Sequence, residues 1–475
     1  MKQIRLATIA VLFAAVLSLA VTGPVSIAAE PAPKNPNIVF ILTDDLGIND
    51  LGCYGRREHH TPHLDALAAE GTRFTSAYCA QPICSPSRAA IMTGKNPARL
   101  HLTTYLPGRP DCPSQKLLHP IIRQQLPLEE MTLPKYLKPA GYVSACIGKW
   151  HLGGKGFGPA EQGFDYVHAG RPNTPPSETE GGKGEYDLTA HAIQFIEENR
   201  DRPFFLYLAH NTPHIPYTAK ASLVAKNSKA FEPVYAALIE TLDDVVGLVL
   251  AKLDALGLAQ NTIVIFSSDN GPEDIEINNA TWSGIGSTGP LRGRKRSLYE
   301  GGIRLPFIVR WPQGVPAGQV NDHTVVSGAD LLPTLCELAG ATVPDAVRAT
   351  LRGQSVAAAW RGDKTFQRTT PLMWEWRFRI FNHPWNRSPM LAIREGKWKL
   401  LLNPDRSRVE LYDIPADGSE QNNLAGQHAD VVASLSEKAL AWQKTLPPGM
   451  IEPMAGKNNY PWPGKTPPPA AKKGP

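Results

Sequence analysis

The sequence predicts an α/β fold: a large, mostly parallel sheet flanked by helices, followed by a smaller C-terminal α+β subdomain. Three observations predict it. Short, continuous apolar runs recur at Ile38–Leu42, Tyr142–Ile147, Phe204–Leu208, Thr262–Phe266 and Pro306–Arg310, with the length and evenness of strands buried on both faces. Helical periodicity lies between some of them, notably over Leu188–Glu198 and Phe231–Leu256, which gives the β-α alternation of a parallel sheet. Near Arg361 the pattern changes: Pro389–Ile393, Lys397–Leu402 and Val409–Tyr412 read as short strands and Asp430–Leu446 as a closing helix. The expected division is a leader over 1–29, a main domain over 36–360, a subdomain over 361–455 and a disordered tail over 456–475. At 475 residues the chain is long enough to bury a core in both folded parts.

Taken in order, Lys2 and Arg5 precede the apolar run Leu6–Ala20, and the small residues Ser26-Ile27-Ala28-Ala29 follow, the grammar of a secretory signal peptide. The run is short for a membrane span and no second one approaches that length, so a secreted or periplasmic protein with no transmembrane segment after signal removal is expected. Pro31–Pro36 is a linker. The first strand ends in Thr43-Asp44-Asp45-Leu46-Gly47. Thr61-Pro62 reads as a cap and first position of a helix with Leu64, Leu67 and Ala68 on one face. His59, His60 and His63 belong to that polar start more readily than to a metal cluster.

Cys84-Ser85-Pro86-Ser87-Arg88, running into Ala89–Thr93 and Gly94, is a second helix start, with Pro86 near its first position. Unpaired N–H groups and the positive dipole end collect there, so Cys84 faces a place biased toward anions, with the forked cation of Arg88 one turn on. The segments Thr103–Met131 and Gly170–Gly184, polar and rich in proline and glycine, read as surface loops. Three later strands run into Gly148-Lys149-Trp150-His151, Ala209-His210-Asn211-Thr212-Pro213-His214 and Ser267-Ser268-Asp269-Asn270-Gly271. Ligands of open α/β sheets bind at the carboxyl ends of strands, so these ends would converge on one crevice.

Composition excludes some functions. The formal charge is +5, from 49 basic and 44 acidic residues, and Lys2, Arg5 and the tail lysines 465, 472 and 473 account for it. A near-neutral body excludes a general nucleic-acid or membrane-surface binder. Six scattered cysteines with no C-x-x-C pair suggest neither a disulfide scaffold nor a zinc site. Asp44, Asp45, Asp269 and Asn270 offer only hard oxygen ligands, which suit calcium or magnesium.

Cys84-Ser85-Pro86-Ser87-Arg88 with Thr93-Gly94 resembles the signature of the sulfatases. Further motifs match in order: Thr43-Asp44-Asp45, Thr61-Pro62-His63-Leu64-Asp65, Gly148-Lys149-Trp150-His151-Leu152-Gly153, His214-Ile215-Pro216, Ser268-Asp269-Asn270-Gly271, and Lys295 ahead of Tyr299-Glu300-Gly301-Gly302. Gly396-Lys397-Trp398-Lys399-Leu400 and Glu410-Leu411-Tyr412-Asp413 are similar to the family's smaller domain, so the resemblance runs from Asn37 to Trp442. It implies that Cys84 is oxidised to formylglycine by a formylglycine-generating enzyme and shares a Ca2+ ion, or Mg2+, with Asp44, Asp45, Asp269 and Asn270. It implies too that the hydrated aldehyde attacks the sulfur of a sulfate ester while Arg88 and Lys149 offset charge. His151 would release sulfate by taking the second hydroxyl's proton, and His214 and Lys295 would act on sulfate and the leaving oxygen. The family's breadth and the leader point to a sulfated carbohydrate.

Two other readings stay open at this point. One is a phosphate or phosphonate ester hydrolase of the wider alkaline-phosphatase superfamily. The other is a catalytically silent glycan binder using Trp374, Trp376, Phe378, Phe381 and Trp385, although such an aromatic cluster is more often core. Arg292, Arg294 and Arg296 around Lys295 suit either a polyanionic substrate or a solvated surface.

Overall fold

The computed structural model describes residues 35–108, 121–274, 285–378, 380 and 384–446. The expected leader and tail, Cys112, Phe381 and the middle of the 103–131 segment lie outside them. Nine strands among the described residues form the main sheet: β1 (Asn37–Asp44), β2 (Thr72–Tyr78), β3 (Val143–Gly148), β4 (Tyr166–His168), β5 (Phe204–Pro213), β6 (Thr262–Ser268), β7 (Arg304–Arg310), β8 (Gln319–Asn321) and β9 (Val326–Ser327). Their order is β4-β3-β5-β1-β6-β7-β2-β8, with β9 also on β2.

β1 lies at the centre, parallel to β5 and β6 and buried along its whole length, which is why its sequence is apolar without alternation. The five apolar runs all became strands, but β7 runs antiparallel to both β6 and β2. An apolar run reports burial on two faces and carries no sign of direction. β2, with the half-polar sequence Thr72-Arg73-Phe74-Thr75-Ser76-Ala77-Tyr78, was not legible as a strand; it alternates buried and half-buried positions over its first half.

The helices Pro62–Ala69, Glu185–Glu198 and Pro233–Ala255 cover one face of the sheet, where Leu238, Leu242, Val246 and Val249 pack with Val39, Ile41, Leu206 and Leu208. Side chains alternate along a strand, so Phe40 and Tyr207, in ring contact at 5.8 Å, point to the opposite face. The helix Cys84–Thr93 reaches Tyr207 there through Arg88. Thr61 does not cap its own helix. Its hydroxyl instead accepts from Gly52 N, and the N–H groups of His63 and Leu64 are taken by Asp243 of the long helix, at 3.1 and 2.8 Å. His59 is bound to the Asp50 carbonyl and His63 packs against Gly247, so these histidines serve packing.

The second sheet is antiparallel in chain order: β10 (Leu372–Glu375), β11 (Leu391–Glu395), β12 (Trp398–Leu402) and β13 (Glu410–Asp413). The helix Ala429–Lys444 covers one face through Leu435, Ala439 and Trp442. The other face packs Trp374, Trp376, Leu401 and Tyr412 against Tyr78, Ile83, Cys84 and Leu298 of the main sheet's surroundings. Trp374 and Trp376 are therefore core residues and not sugar platforms. Among the described residues, no helix is long and apolar enough to cross a membrane.

Candidate active site

Every residue of the helix Cys84–Thr93 is buried, including the charged Arg88. The helix starts at Cys84 after extended Ile83 and stops at Gly94, whose φ of +66° a glycine adopts without strain. Cys84 Sγ lies 3.4 Å from Asp44 Oδ1 at the end of β1. Burial, reinforced by the Asp44 charge, pushes the thiol far above its ordinary value. As a bare thiol, then, residue 84 is a poor source of thiolate.

Parallel pairing brings the other strand ends alongside. β1 and β6 end in register, Thr43 opposite Ser268, so Asp44 and Asp45 face Asp269 and Asn270. Acidic oxygens of Asp44, Asp45 and Asp269 and the sulfur of Cys84 all lie within 4.8 Å of one another. Asn270 Nδ2 donates to Asp45 Oδ1 at 2.7 Å, while its Oδ1 is buried without a hydrogen-bond partner. Burial and the neighbouring Asp44 charge raise Asp269 to about 6. Burial alone would raise Asp44 too, yet Lys149, with His214, Arg88 and Lys295 behind it, holds it well below the carboxylate range. Three crowded carboxylates with an unsatisfied amide oxygen are a donor set suited to a hard divalent cation.

Cations close around this cluster. Arg88 donates through Nε to Asp269 Oδ2 at 2.9 Å and through Nη1 to the Lys149 carbonyl at 2.7 Å. Lys149 pairs with Asp44, and Lys295 with Asp45 at 2.6 Å. Lys149 is aimed by the end of β3. Gly148, at φ +97°, has no room for a side chain, because a Cβ would stand 2.0 Å from the Ala209 carbonyl, and this close approach lets Lys149 N bond that carbonyl. His151 sits at φ +58°, an uncommon conformation for a non-glycine residue. Its Nε2 must donate to the Leu106 carbonyl at 2.8 Å, which assigns the lone pair to Nδ1, buried without a partner. Burial and Lys149 lower this imidazole to about 3. His214 Nε2 stands 3.8 Å from Asp45, and burial lowers it as well. Asp44, Lys149, His151 and His214 line one cleft of about 520 Å3.

Asp44, Asp45, Cys84, Arg88, Lys149, His151, His214, Asp269, Asn270 and Lys295 thus come together. Two readings change. Arg294 and Arg296 are not a free basic surface: Arg296 pairs with Glu273 and Asp274, and Arg294 bonds the Glu273 and Gly286 carbonyls. The 170–184 segment is not wholly a surface loop, since Lys183 is buried in the cleft wall and donates to the His214 carbonyl at 2.9 Å and to Asn173 at 2.8 Å. Neither Lys183 nor Glu185, which accepts from His210, Asn211 N and Thr212 and so braces the end of β5, was legible as a site residue. A lysine and a glutamate near a helix start look like solvated charges in one dimension.

A cysteine at a buried helix start, beside crowded carboxylates and fixed cations at strand ends, is an arrangement suited to hydrolysis of tetrahedral-anion esters on an α/β sheet. The chain belongs to the sulfatase family and is a sulfuric ester hydrolase. It matches the Sulfatase family over residues 36–341 and the family "N-sulphoglucosamine sulphohydrolase, C-terminal" over residues 293–445. It is 34% identical to arylsulfatase A of Homo sapiens, over 83% of this chain and 84% of that one. It is 30% identical to an N-acetylgalactosamine-6-O-sulfatase of Bacteroides thetaiotaomicron, over 85% and 92%. The solved structure of Ps i-CgsB superposes with a TM-score of 0.73 at 29% identity, covering 87% of this chain and 94% of that one.

Proposed function

We propose that this protein is exported and removes sulfate from a sulfated carbohydrate, using formylglycine at position 84 and a divalent cation, Ca2+ or Mg2+. The observation that carries the reading is the cluster of Asp44, Asp45, Asp269 and Cys84 within 4.8 Å, backed by the unpartnered Asn270 Oδ1. A sugar substrate is supported by the relative named as an N-acetylgalactosamine-6-O-sulfatase. Export is supported by the leader pattern at the N-terminus.

Asp44, Asp45, Asp269, Asn270 and residue 84 would hold the cation, which supplies charge neutralisation at the reacting anion. Formylglycine at position 84, made by a formylglycine-generating enzyme, supplies an oxygen nucleophile where the buried thiol cannot. Arg88, locked on Asp269 and the Lys149 carbonyl, is a preorganised cation that needs no reorientation as charge develops. Lys149 adds a second. His151 is a base, neutral and with Nδ1 free, suited to take the proton whose loss regenerates residue 84. Lys295, paired with Asp45 at 2.6 Å, is a buried cation suited to the sulfate anion and the leaving oxygen. His214 would protonate the leaving alcohol, a role for which Asp44 and Asp45 favour its charged form against the burial that lowers it.

Parallel assays on sulfate and phosphate esters of one sugar, with mass spectrometry of the peptide containing residue 84, test the reading. Sulfate turnover with an aldehyde at 84 is expected. Preference for the phosphate or phosphonate ester would favour the alternative activity, and full sulfatase activity with an unmodified thiol would overturn the formylglycine assignment. Chelation is expected to abolish activity and Ca2+ or Mg2+ to restore it.

A further inference from the structure

We propose that Lys183 is a positioning residue of this enzyme: it holds the turn that carries His214, so that Nε2 of the ring and not Nδ1 faces the reacting ester. The inference rests on the role proposed above for His214 and adds to it a residue that no motif of the sequence marks. Lys183 lies two residues before Glu185, where the helix Glu185–Glu198 begins, and is only 2% exposed. A buried lysine is costly unless its donors find acceptors. Here Nζ donates to Asn173 Oδ1 at 2.8 Å, to the His214 carbonyl at 2.9 Å and to the Pro216 carbonyl at 3.4 Å. Those acceptors use all three N–H bonds of an ammonium. Lys183 lines the cleft, yet it has no donor left for a substrate and acts through the groups that it holds.

The bonds fix the turn on both sides of Ile215. The carbonyls of residues 214 and 216 are committed to Lys183, and the Ile215 carbonyl between them meets the ring of His214, 2.6 Å from Nδ1. A carbonyl only accepts, so Nδ1 must carry a proton there, and Nε2 is the nitrogen whose proton comes and goes. That Nε2 is the one beside Asp45, at 3.8 Å. On the preceding stretch of the same segment, Glu185 takes the donors of His210, Asn211 and Thr212. One ammonium and one carboxylate, two residues apart at a helix start, thus match the acceptors of residues 214 and 216 and the donors of residues 210–212. Through Asn173 the same ammonium also ties the opposite cleft wall to the turn.

The experiment is a double-mutant cycle on residues 183 and 214, with kcat and KM measured on a sugar sulfate and on nitrophenyl sulfate. Lys183→Met keeps the side chain's length and removes its donors. It is expected to lower kcat about 30-fold on the sugar sulfate and under about threefold on nitrophenyl sulfate, with a smaller change in KM. A general loosening of the cleft would slow both substrates alike. In a His214→Ala background the same substitution is expected to cost less than about twofold, because the ring that Lys183 positions is gone. Circular dichroism checks that the variants fold. Should Lys183→Met fold poorly, Lys183→Gln, which keeps two N–H donors, carries the same cycle with an expected loss of about fivefold.

Full additivity of the two substitutions, or a Lys183 variant as active as wild type, overturns the inference. So does an equal loss on both substrates while His214→Ala discriminates between them. If the protein prefers a phosphate ester, it is the reading of its function that fails. The cycle is then run on that ester, where the coupling between residues 183 and 214 judges the inference by itself.

Discussion

His151 and His214 occupy different environments, and the difference predicts different defects. His151 offers a free Nδ1 inside the site, whereas His214 stands beside Asp45 at the cleft. Replacing His214 with alanine should cost about 100-fold or more on a sugar sulfate and under about tenfold on nitrophenyl sulfate, whose phenol departs without a proton. His151→Ala should slow both substrates alike. Equal behaviour of the two variants would show that the roles are misassigned. His151 also sets a pH dependence. Its folded value near 3 lies below the ordinary 6.5, so between those pH values the unfolded chain binds the extra proton. Stability is then complete above about pH 6.5 and falls as pH drops toward 3. Between pH 7 and 5 this one group should remove about 2 kcal/mol, a loss absent from His151→Gln. Urea unfolding of both proteins at the two pH values measures it.

At the scale of elements, Asp243 does what a local cap usually does. It satisfies two N–H groups at the start of the helix Pro62–Ala69 from 179 residues away in the chain. Asp243→Ala should cost about 1–2 kcal/mol of stability, as losses of caps do, and leave kcat/KM unchanged because the residue does not line the cleft. Denaturant melts with parallel kinetics check both halves of that expectation. Gly148 is the opposite case, a single residue on which an element's end depends. Any Cβ there collides with the Ala209 carbonyl, so Gly148→Ala should spread β3 from β5 and misplace Lys149. The expected result is a large loss of kcat together with lower stability.

Across the whole molecule, the two sheets share one core around the segment that carries Cys84. Trp374 Nε1 donates to the Cys79 carbonyl at 2.8 Å and Gln81 to the Glu375 carbonyl at 2.6 Å, so the second sheet braces the approach to residue 84. Between the sheets, fully buried Lys399 pairs with Glu300 at 2.9 Å and Glu420 at 2.8 Å. Lys399→Met would take the buried cation from Glu420 and Glu300, of which only Glu300 keeps another cation, Arg304, a change expected to cost about 3–5 kcal/mol. Thermal and urea unfolding measure this loss, and a variant as stable as wild type would mean that the triad contributes nothing to joining the sheets.

The sequence by itself determined the strands that are buried on both faces, since only continuous apolar runs survive there, and the polar residues that follow them. Asp44, Asp269, Lys149 and His214 were legible for that reason, and Cys84 and Arg88 because a helix start has its own local grammar. What depended on partners distant in the chain was not legible. The reversed direction of β7, the half-polar β2, the cap from Asp243, and the burial of Lys183 and Glu185 are settled by contacts between segments brought together only on folding. Hydropathy measures how far a residue avoids water; it does not name the neighbour that replaces the water. The tertiary structure alone decided which charges became paired: Lys295, already singled out by the resemblance, with Asp45, and Arg296 with Glu273 and Asp274.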